Sequence, residues 1–230
     1  VVPYFLRFIK KWSSITSLAQ ASEEEVLNYW QGLGYYSRGR NLLKTVKIID
    51  KEFNGIIPDA LENLLTLPGI GEYASAAIRS IAYNKKATVV DGNVKRVIAR
   101  FFALQGELKD NKKNISYLAN FLTPNKGNSN YSQAIMEFGA VVCKPRQSNC
   151  NECVFNKDCL SLKKGLVLKI PKPKKKINKK ELKCISFLVI KKDLIMIEKR
   201  NNQNLLKDMW QLPSSNWVKK NSNDKLLSLA

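Results

Sequence analysis

Four of the five cysteines fall as Cys143-x6-Cys150-x2-Cys153-x5-Cys159, in a chain of 230 residues with no histidine. Closely spaced thiols without a sign of secretion suit metal binding better than disulfides. Four thiolates satisfy either a tetrahedral zinc ion or a [4Fe-4S] cluster, and spacing alone favours zinc. A second chemical stretch reads Leu67-Pro68-Gly69-Ile70-Gly71-Glu72-Tyr73. Pro68 fixes φ, while Gly69 and Gly71 permit angles and approaches that a side chain would obstruct. A Gly-x-Gly turn entering a helix points free N–H groups outward at the positive end of the helix dipole, a ready phosphate site. About twenty residues on, Val90-Asp91-Gly92-Asn93 places a lone carboxylate at a helix start. Read locally, Asp91 is a helix N-cap. A third stretch, Trp30-Gln31-Gly32-Leu33-Gly34-Tyr35-Tyr36-Ser37-Arg38-Gly39-Arg40, is a glycine-broken turn with two tyrosines and two arginines. It reads equally as a helix corner completing the core or as an aromatic wedge with phosphate-binding arginines at a DNA surface.

The elements that must position these groups are helical through Cys159. Residues 3–12 carry Tyr4, Phe5, Phe8, Ile9 and Trp12 on one apolar face, the spacing of a helix. Ser22 and Glu25 form a capping box for a helix ending near Gly32, and Asp59 with Glu62 reads as a second cap. Further helices are expected over 37–53, 61–65, 74–83, 95–104, 114–122 and 130–142. The run Pro171-Lys172-Pro173-Lys174-Lys175-Lys176 marks an extended basic linker. Beyond it the period switches to two. Residues 185–190 and 194–197 read as strands joined by a turn at Lys191-Lys192-Asp193, with Cys184 a small core residue on the first. The expected organisation is an all-α domain over 1–160, a linker over 161–183, and the beginning of an α+β domain over 184–230.

Lys and Arg number 39 against 19 acids, a formal charge of +20. Such an excess points to a polyanionic partner, nucleic acid first. Missing histidine excludes Ser-His-Asp and Cys-His catalysis and every His-ligated metal site. No apolar run approaches a membrane span. The chain opens at Val1 and stops at Leu-Ser-Leu-Ala, so both ends are expected to continue beyond it.

The turn 67–71, the downstream Asp91 and the cysteine spacing together resemble the helix-hairpin-helix DNA glycosylases of the endonuclease III superfamily. Within it, Trp30-x-Gly-Leu-Gly-Tyr-Tyr-x-Arg, Val90-Asp91-Gly92-Asn93-Val94-Lys95-Arg96 and Gln133-Ala134-Ile135-Met136-Glu137-Phe138-Gly139-Ala140 look like the MutY adenine DNA glycosylases. More weakly, residues past the linker, with Met209-Trp210-Gln211-Leu212-Pro213, are similar to the opening of that family's Nudix-like domain.

The resemblance implies a [4Fe-4S] cluster on Cys143, Cys150, Cys153 and Cys159, overturning the zinc preference. It implies removal of adenine mispaired with 8-oxoguanine or guanine in double-stranded DNA. Asp91 would stabilise the cationic sugar, with Tyr73 and Asn93 orienting the acid groups. Bifunctional relatives carry a Schiff-base lysine where this chain has Tyr73, so lysine-based strand cleavage is not expected. The DNA-binding set is Leu67, Pro68, Gly69, Ile70 and Gly71, with Arg38 on the backbone and Tyr35 or Tyr36 as wedge.

The family's general acid is a glutamate expected roughly three helical turns before Val1. Glu23, Glu24 and Glu25 are no substitute, so the present residues are expected to bind mispaired DNA without releasing adenine. Two other readings share the scaffold: a non-catalytic mismatch-binding module and a thymine or uracil mismatch glycosylase. A monomer in the bacterial cytoplasm, on the nucleoid, completes the expectation.

Overall fold

Side-chain caps set the first helix starts in the computed structural model, which describes residues 2–173, 181–200 and 209–219. After α1 (Val2–Lys11), α2 (Ile15–Ala19) opens on a capping box between Ser14 and Ser17. At α3 (Glu23–Trp30) the Glu25 backbone N–H donates to Ser22 Oγ, and the Ser22 N–H donates back to the Glu25 carboxylate at 3.1 Å. That reciprocal bond lowers the Glu25 pKa, because it favours the charged carboxylate. The long α4 (Tyr36–Glu52) packs against α2 and α3.

A short hairpin follows, α5 (Leu61–Thr66) and α6 (Glu72–Ala77), the latter running on as a π-helical turn over Ile78–Ala82. Asp59 does not cap α5. Ala60 holds the N-cap position without a side-chain bond, and Asp59 is spent on an ion pair with Lys85 at 2.5 Å. The π-helical turn is pinned by Ser80, whose Oγ donates to the Asn128 carbonyl at 2.8 Å and lies 2.6 Å from Ser132 Oγ, all buried. Then come α7 (Gly92–Phe101), α8 (Lys112–Leu122), α9 (Asn128–Val141), a 3-10 turn at Cys150–Glu152 and α10 (Leu160–Lys163).

Three apolar clusters hold this helical unit, Val1–Lys174. Trp12, Leu18, Val26, Leu43 and Val46 join α1 to α4. Ile49 carries the far end of α4 onto Leu64 and Leu67 of the hairpin. Val94, Ile98, Ile115 and Ala119 join α7 to α8, with Ile135 and Met136 of α9 packed against them. Residues 161–173, expected as exposed linker, belong to this unit instead. Ile170 is buried, its carbonyl accepts from Arg100 Nε at 2.7 Å, and the Lys172 N–H donates to the Gly106 carbonyl. Lys174 to Lys176 of the basic run lie outside the described residues.

The second unit, Lys175–Ala230, contributes short antiparallel pairs among its described residues. These are β1 (Leu182–Lys183) with β6 (Val218–Lys219), β2 (Ile190–Lys191) with β3 (Leu194–Ile195), and β4 (Glu198–Lys199) with β5 (Trp210–Gln211). The expected strand over 185–190 is reduced to Ile190 and a single bridge from Ser186 to Ser214, and the expected strand over 194–197 to Leu194–Ile195. Cys184 is half-buried and lies outside these strands.

Candidate DNA-facing site

Two glycine-containing corners frame the site. In the first, Gly32, Gly34 and Tyr35 all take positive φ, of 92°, 71° and 47°. The indole N–H of Trp30 donates to the Gly34 carbonyl at 3.0 Å, and the ring lies over Gly39, where a Cβ would come within 3.1 Å. Tyr35 is left 81% exposed, while Tyr36 is half-buried as the first residue of α4. Arg38 is exposed beside it. Arg40 is not a free cation: its Nε donates to Glu23 at 2.8 Å.

The second corner is the hairpin turn. Its side chains point inward: Leu67 is buried against Ile49 and Leu64, and Ile70 packs on the same cluster. The Pro68 carbonyl accepts from Thr45 Oγ1 at 2.7 Å, fastening the turn to α4. Gly69 has φ of 79°, and a Cβ there would meet Asn41 Cβ at 2.8 Å, so both conformation and packing demand glycine. What faces solvent is the backbone at Gly69 and Gly71, the latter the N-cap of α6 with nothing within 4 Å of an added Cβ. Leu67 is thus a buried anchor of the turn, while Ile70 is half-buried against the same cluster.

Asp91 caps α7. Its Oδ1 accepts from the Val94 N–H at 2.7 Å and its Oδ2 from Asn93 Nδ2 at 3.1 Å. Asn93 Oδ1 in turn accepts from Arg96, whose guanidinium also donates to the carbonyls of Gly139 at 2.6 Å and Cys143 at 2.8 Å. Burial lowers the Arg96 pKa, an effect the neighbouring Cys143 and Asp91 charges oppose. Tyr73, 48% exposed, directs its hydroxyl to Met136 Sδ at 3.8 Å. Met136 and Gly139 are neighbours one turn apart on α9, and a Cβ on Gly139 would come within 2.7 Å of Asn93 Cβ. α9 thus touches Tyr73 at Met136 and Asn93 at Gly139, positions one turn apart on that helix.

The cysteines surround one cavity of about 40 Å³, walled by α7, the end of α9 and the loop itself. That is several times the space one water needs. Burial, and then the charges of Cys143, Cys153 and Cys159, push the Cys150 thiol up; burial does the same to Cys153. Among the described residues no group of three or more His, Cys, Asp or Glu is placed to hold a single metal ion. The four thiols face a shared volume, not a shared point.

Arg100, one turn after Arg96 and only 2% exposed, staples this loop to α7. It donates to the carbonyls of Lys144 at 2.6 Å and Pro145 at 2.9 Å, to Ser148 Oγ at 2.8 Å and to Cys143 Sγ at 3.5 Å. In the sequence Arg96 appeared only as the end of the Val90–Arg96 motif, without a role, and Arg100 did not stand out. The available signal was two cations at i and i+4 among Val94, Val97, Ile98 and Ala99, on the face of α7 that must be buried.

A helical hairpin with an exposed glycine turn, a capped aspartate and a four-cysteine loop defines a class of DNA-repair fold, and residues 1–124 match the family model of the HhH-GPD superfamily base excision DNA repair proteins. The chain belongs to that superfamily. Among its relatives, the adenine DNA glycosylase of Buchnera aphidicola from Schizaphis graminum is 35% identical, over 96% of this chain and 66% of that protein. The adenine DNA glycosylase of Rattus norvegicus is 40% identical, over 69% of this chain and 31% of that protein. A thermostable thymine-DNA glycosylase of known structure superposes with a TM-score of 0.63 at 28% identity, covering 70% of this chain and 76% of that one. The chain spans somewhat less than two-thirds of the length of the Buchnera relative. No helix among the described residues is long and apolar enough to cross a membrane.

Proposed function

We propose that this chain carries the larger part of an adenine DNA glycosylase acting on adenine opposite 8-oxoguanine or guanine in duplex DNA. The observation that carries the reading is that Asn93, bonded to Asp91, and Tyr73 both pack on α9, at Gly139 and Met136, in a chain whose relatives are named adenine DNA glycosylase. Cleaving an N-glycosidic bond needs a protonated leaving base and a stabilised oxocarbenium-like sugar, roles that two carboxyl groups in different settings divide.

Asp91 takes the second role. Its two oxygens are oriented by the Val94 N–H and the Asn93 amide, and Arg96 fixes that amide from behind. Tyr73 supplies a hydroxyl, not an amine, so the sugar is not captured as a Schiff base there. The general acid is assigned to no glutamate at the N-terminal end of this chain. Glu23 pairs with Arg40, Glu25 closes the capping box, and Glu72 lies 3.7 Å from Lys112. We place that role on a glutamate supplied ahead of Val1.

Adenine reaches such a site only when turned out of the duplex. Tyr35 is the wedge in this reading, because Tyr36 is half-buried. The Gly69–Gly71 backbone and Arg38 hold the strand. A +20 chain meets a polyanion with favourable long-range electrostatics.

The donor set of the cysteine loop fits a [4Fe-4S] cluster held by Cys143, Cys150, Cys153 and Cys159. Four thiolates would also satisfy a zinc ion; the preference for the cluster rests on the resemblance of the Cys143-x6-Cys150-x2-Cys153-x5-Cys159 spacing to the superfamily's cluster loop. When bound, the cluster would cross-link the loop, and Arg100 and Arg96 tie that loop to α7 and so to Asp91. Purified protein is expected to absorb in the visible and to contain iron; stoichiometric zinc without visible absorbance would overturn the assignment. The second unit is assigned to the opening of a Nudix-like domain that reads the opposing base.

The reading is tested by base release from duplexes carrying A opposite 8-oxoguanine, A opposite G, and T or U opposite G. The chain, provided with an acid-bearing helix ahead of Val1, is expected to liberate adenine and leave thymine and uracil in place. Release of thymine or uracil instead would sink the adenine assignment.

A further inference from the structure

The Trp30–Tyr35 corner holds three left-handed residues in four positions, and Tyr35 has no glycine's freedom to adopt one. Such backbone persists only where its surroundings over-determine it. Part of that constraint is internal, from the Trp30 indole bond to Gly34 and the Arg38 N–H bond to the Tyr35 carbonyl at 2.8 Å. The remainder comes from α1. Tyr4, Arg7 and Phe8, at i, i+3 and i+4, share one face of that helix.

The Tyr4 hydroxyl fills the space where a Cβ on Gly32 would sit, 2.5 Å from that position. The Arg7 guanidinium lies over the rings of Tyr4 at 5.1 Å and Tyr29 at 5.8 Å, and donates to the Tyr29 carbonyl at 3.1 Å. Phe8 meets the Trp30 ring edge-on at 6.3 Å. No residue of α1 is itself buried; Phe8 also packs on the Trp12 cluster, whereas Tyr4 and Arg7 reach the segment Tyr29–Gly32 that leads to Tyr35. The cation–π pairs are of the exposed kind, weak one by one, but they converge on the residue before Trp30 and on Gly32.

We infer that Tyr4 and Arg7 are positioning residues for the Tyr35 wedge: they hold the Gln31–Tyr35 turn in its strained shape, so that Tyr35 enters the base stack already oriented. The inference rests on the DNA-facing reading above but not on which base is released. Its signature is non-additivity, because residues that act through a third lose their effect when the third is removed.

The test is a set of double-mutant cycles in the 230-residue chain, read by fluorescence of 2-aminopurine beside a mispaired adenine at saturating protein. Binding of wild type is expected to unstack the probe, and Tyr35→Ala to abolish most of the rise. Tyr4→Ala and Arg7→Met should each reduce it by about threefold, within the range of couplings between contacting residues. Neither should reduce it further in the Tyr35→Ala background. Arg7→Lys, which keeps a cation over the rings, should recover part of the signal, and Tyr4→Phe should fall between wild type and Tyr4→Ala.

Arg7 is exposed, so its variants report even if Tyr4→Ala fails to fold. Equal losses with and without Tyr35, no loss in either single variant, or bound duplex with no unstacking in wild type would each overturn the inference. Absence of adenine release in the product assay leaves this cycle readable, since it needs only a bound duplex.

Discussion

The two glycine corners of the helical unit present opposite things to solvent. The Trp30–Tyr35 corner sets Gly32 against the Tyr4 ring and pushes one tyrosine side chain out, 81% exposed. The Leu67–Gly71 corner sends Leu67 and Ile70 into the core and leaves backbone outside. In the proposed DNA-binding reading the first inserts a side chain between bases and the second offers N–H groups to a phosphate. The difference lies in where each corner gets its rigidity. The wedge turn is propped from outside by α1 and Trp30, whereas the hairpin turn is anchored from beneath by the α4–α5 cluster and by Thr45.

That contrast breaks most readily at the hairpin anchor. Leu67→Ala removes a side chain only 2% exposed and should cost about 2–5 kcal/mol in chemical denaturation. A loss under about half a kcal/mol, the range of neutral surface changes, would mean the turn is not held from beneath. Gly69→Ala should cost about 1–3 kcal/mol, because it imposes positive φ on a side-chain-bearing residue and pushes against Asn41. Gly71→Ala sharpens the point. Its φ of −107° is open to any residue and its surroundings are empty, so stability should change by no more than about half a kcal/mol, while affinity for duplex DNA falls. Equal destabilisation at Gly69 and Gly71 would erase the distinction between a packed and an exposed glycine in this turn.

The helices and their approximate limits were legible because apolar spacing and local caps act within one turn. Ser22 and Glu25 are a case where the local pattern and the tertiary fold agree. Asp59 and Glu62 carry the same local pattern, but Lys85, arriving from beyond the π-helical turn, takes the aspartate. The π-helical turn itself had no local signature, since its register is set by Ser80 meeting Asn128 and Ser132 some fifty residues away. For the same reason the sequence assigned no role to the two buried arginines: their partners include loop and helix-end carbonyls at positions 139–145 and 170. The exposed-linker expectation for 161–173 failed at Ile170, an apolar residue ahead of a basic, proline-bearing run that composition alone had marked as solvated. In the second unit the described apolar residues Leu188, Ile190, Leu194 and Trp217 remain exposed, so alternation predicted more strand than these residues form.

At the candidate site, spacing located the groups but not their connections. Asp91 reads as a helix cap in sequence and is one in the structure; capping and catalysis are compatible here, because the cap bonds orient the carboxylate that the chemistry would use. The link from Asp91 through Asn93 and Arg96 to the Cys143 carbonyl depends on α9 crossing α7 at Gly139, which no local pattern announces.

Single-turnover adenine release from a duplex with adenine opposite 8-oxoguanine shows whether Asp91 stabilises the cationic sugar as adenine leaves. The protein is to be compared with its Asp91→Asn variant, each provided with the acid-bearing helix ahead of Val1. The variant is expected still to bind the duplex and to lose turnover by several orders of magnitude, on the scale set by removing a group that acts in the transition state; that loss is the signature of the role given to Asp91. Adenine release at the unaltered rate by Asp91→Asn would contradict it.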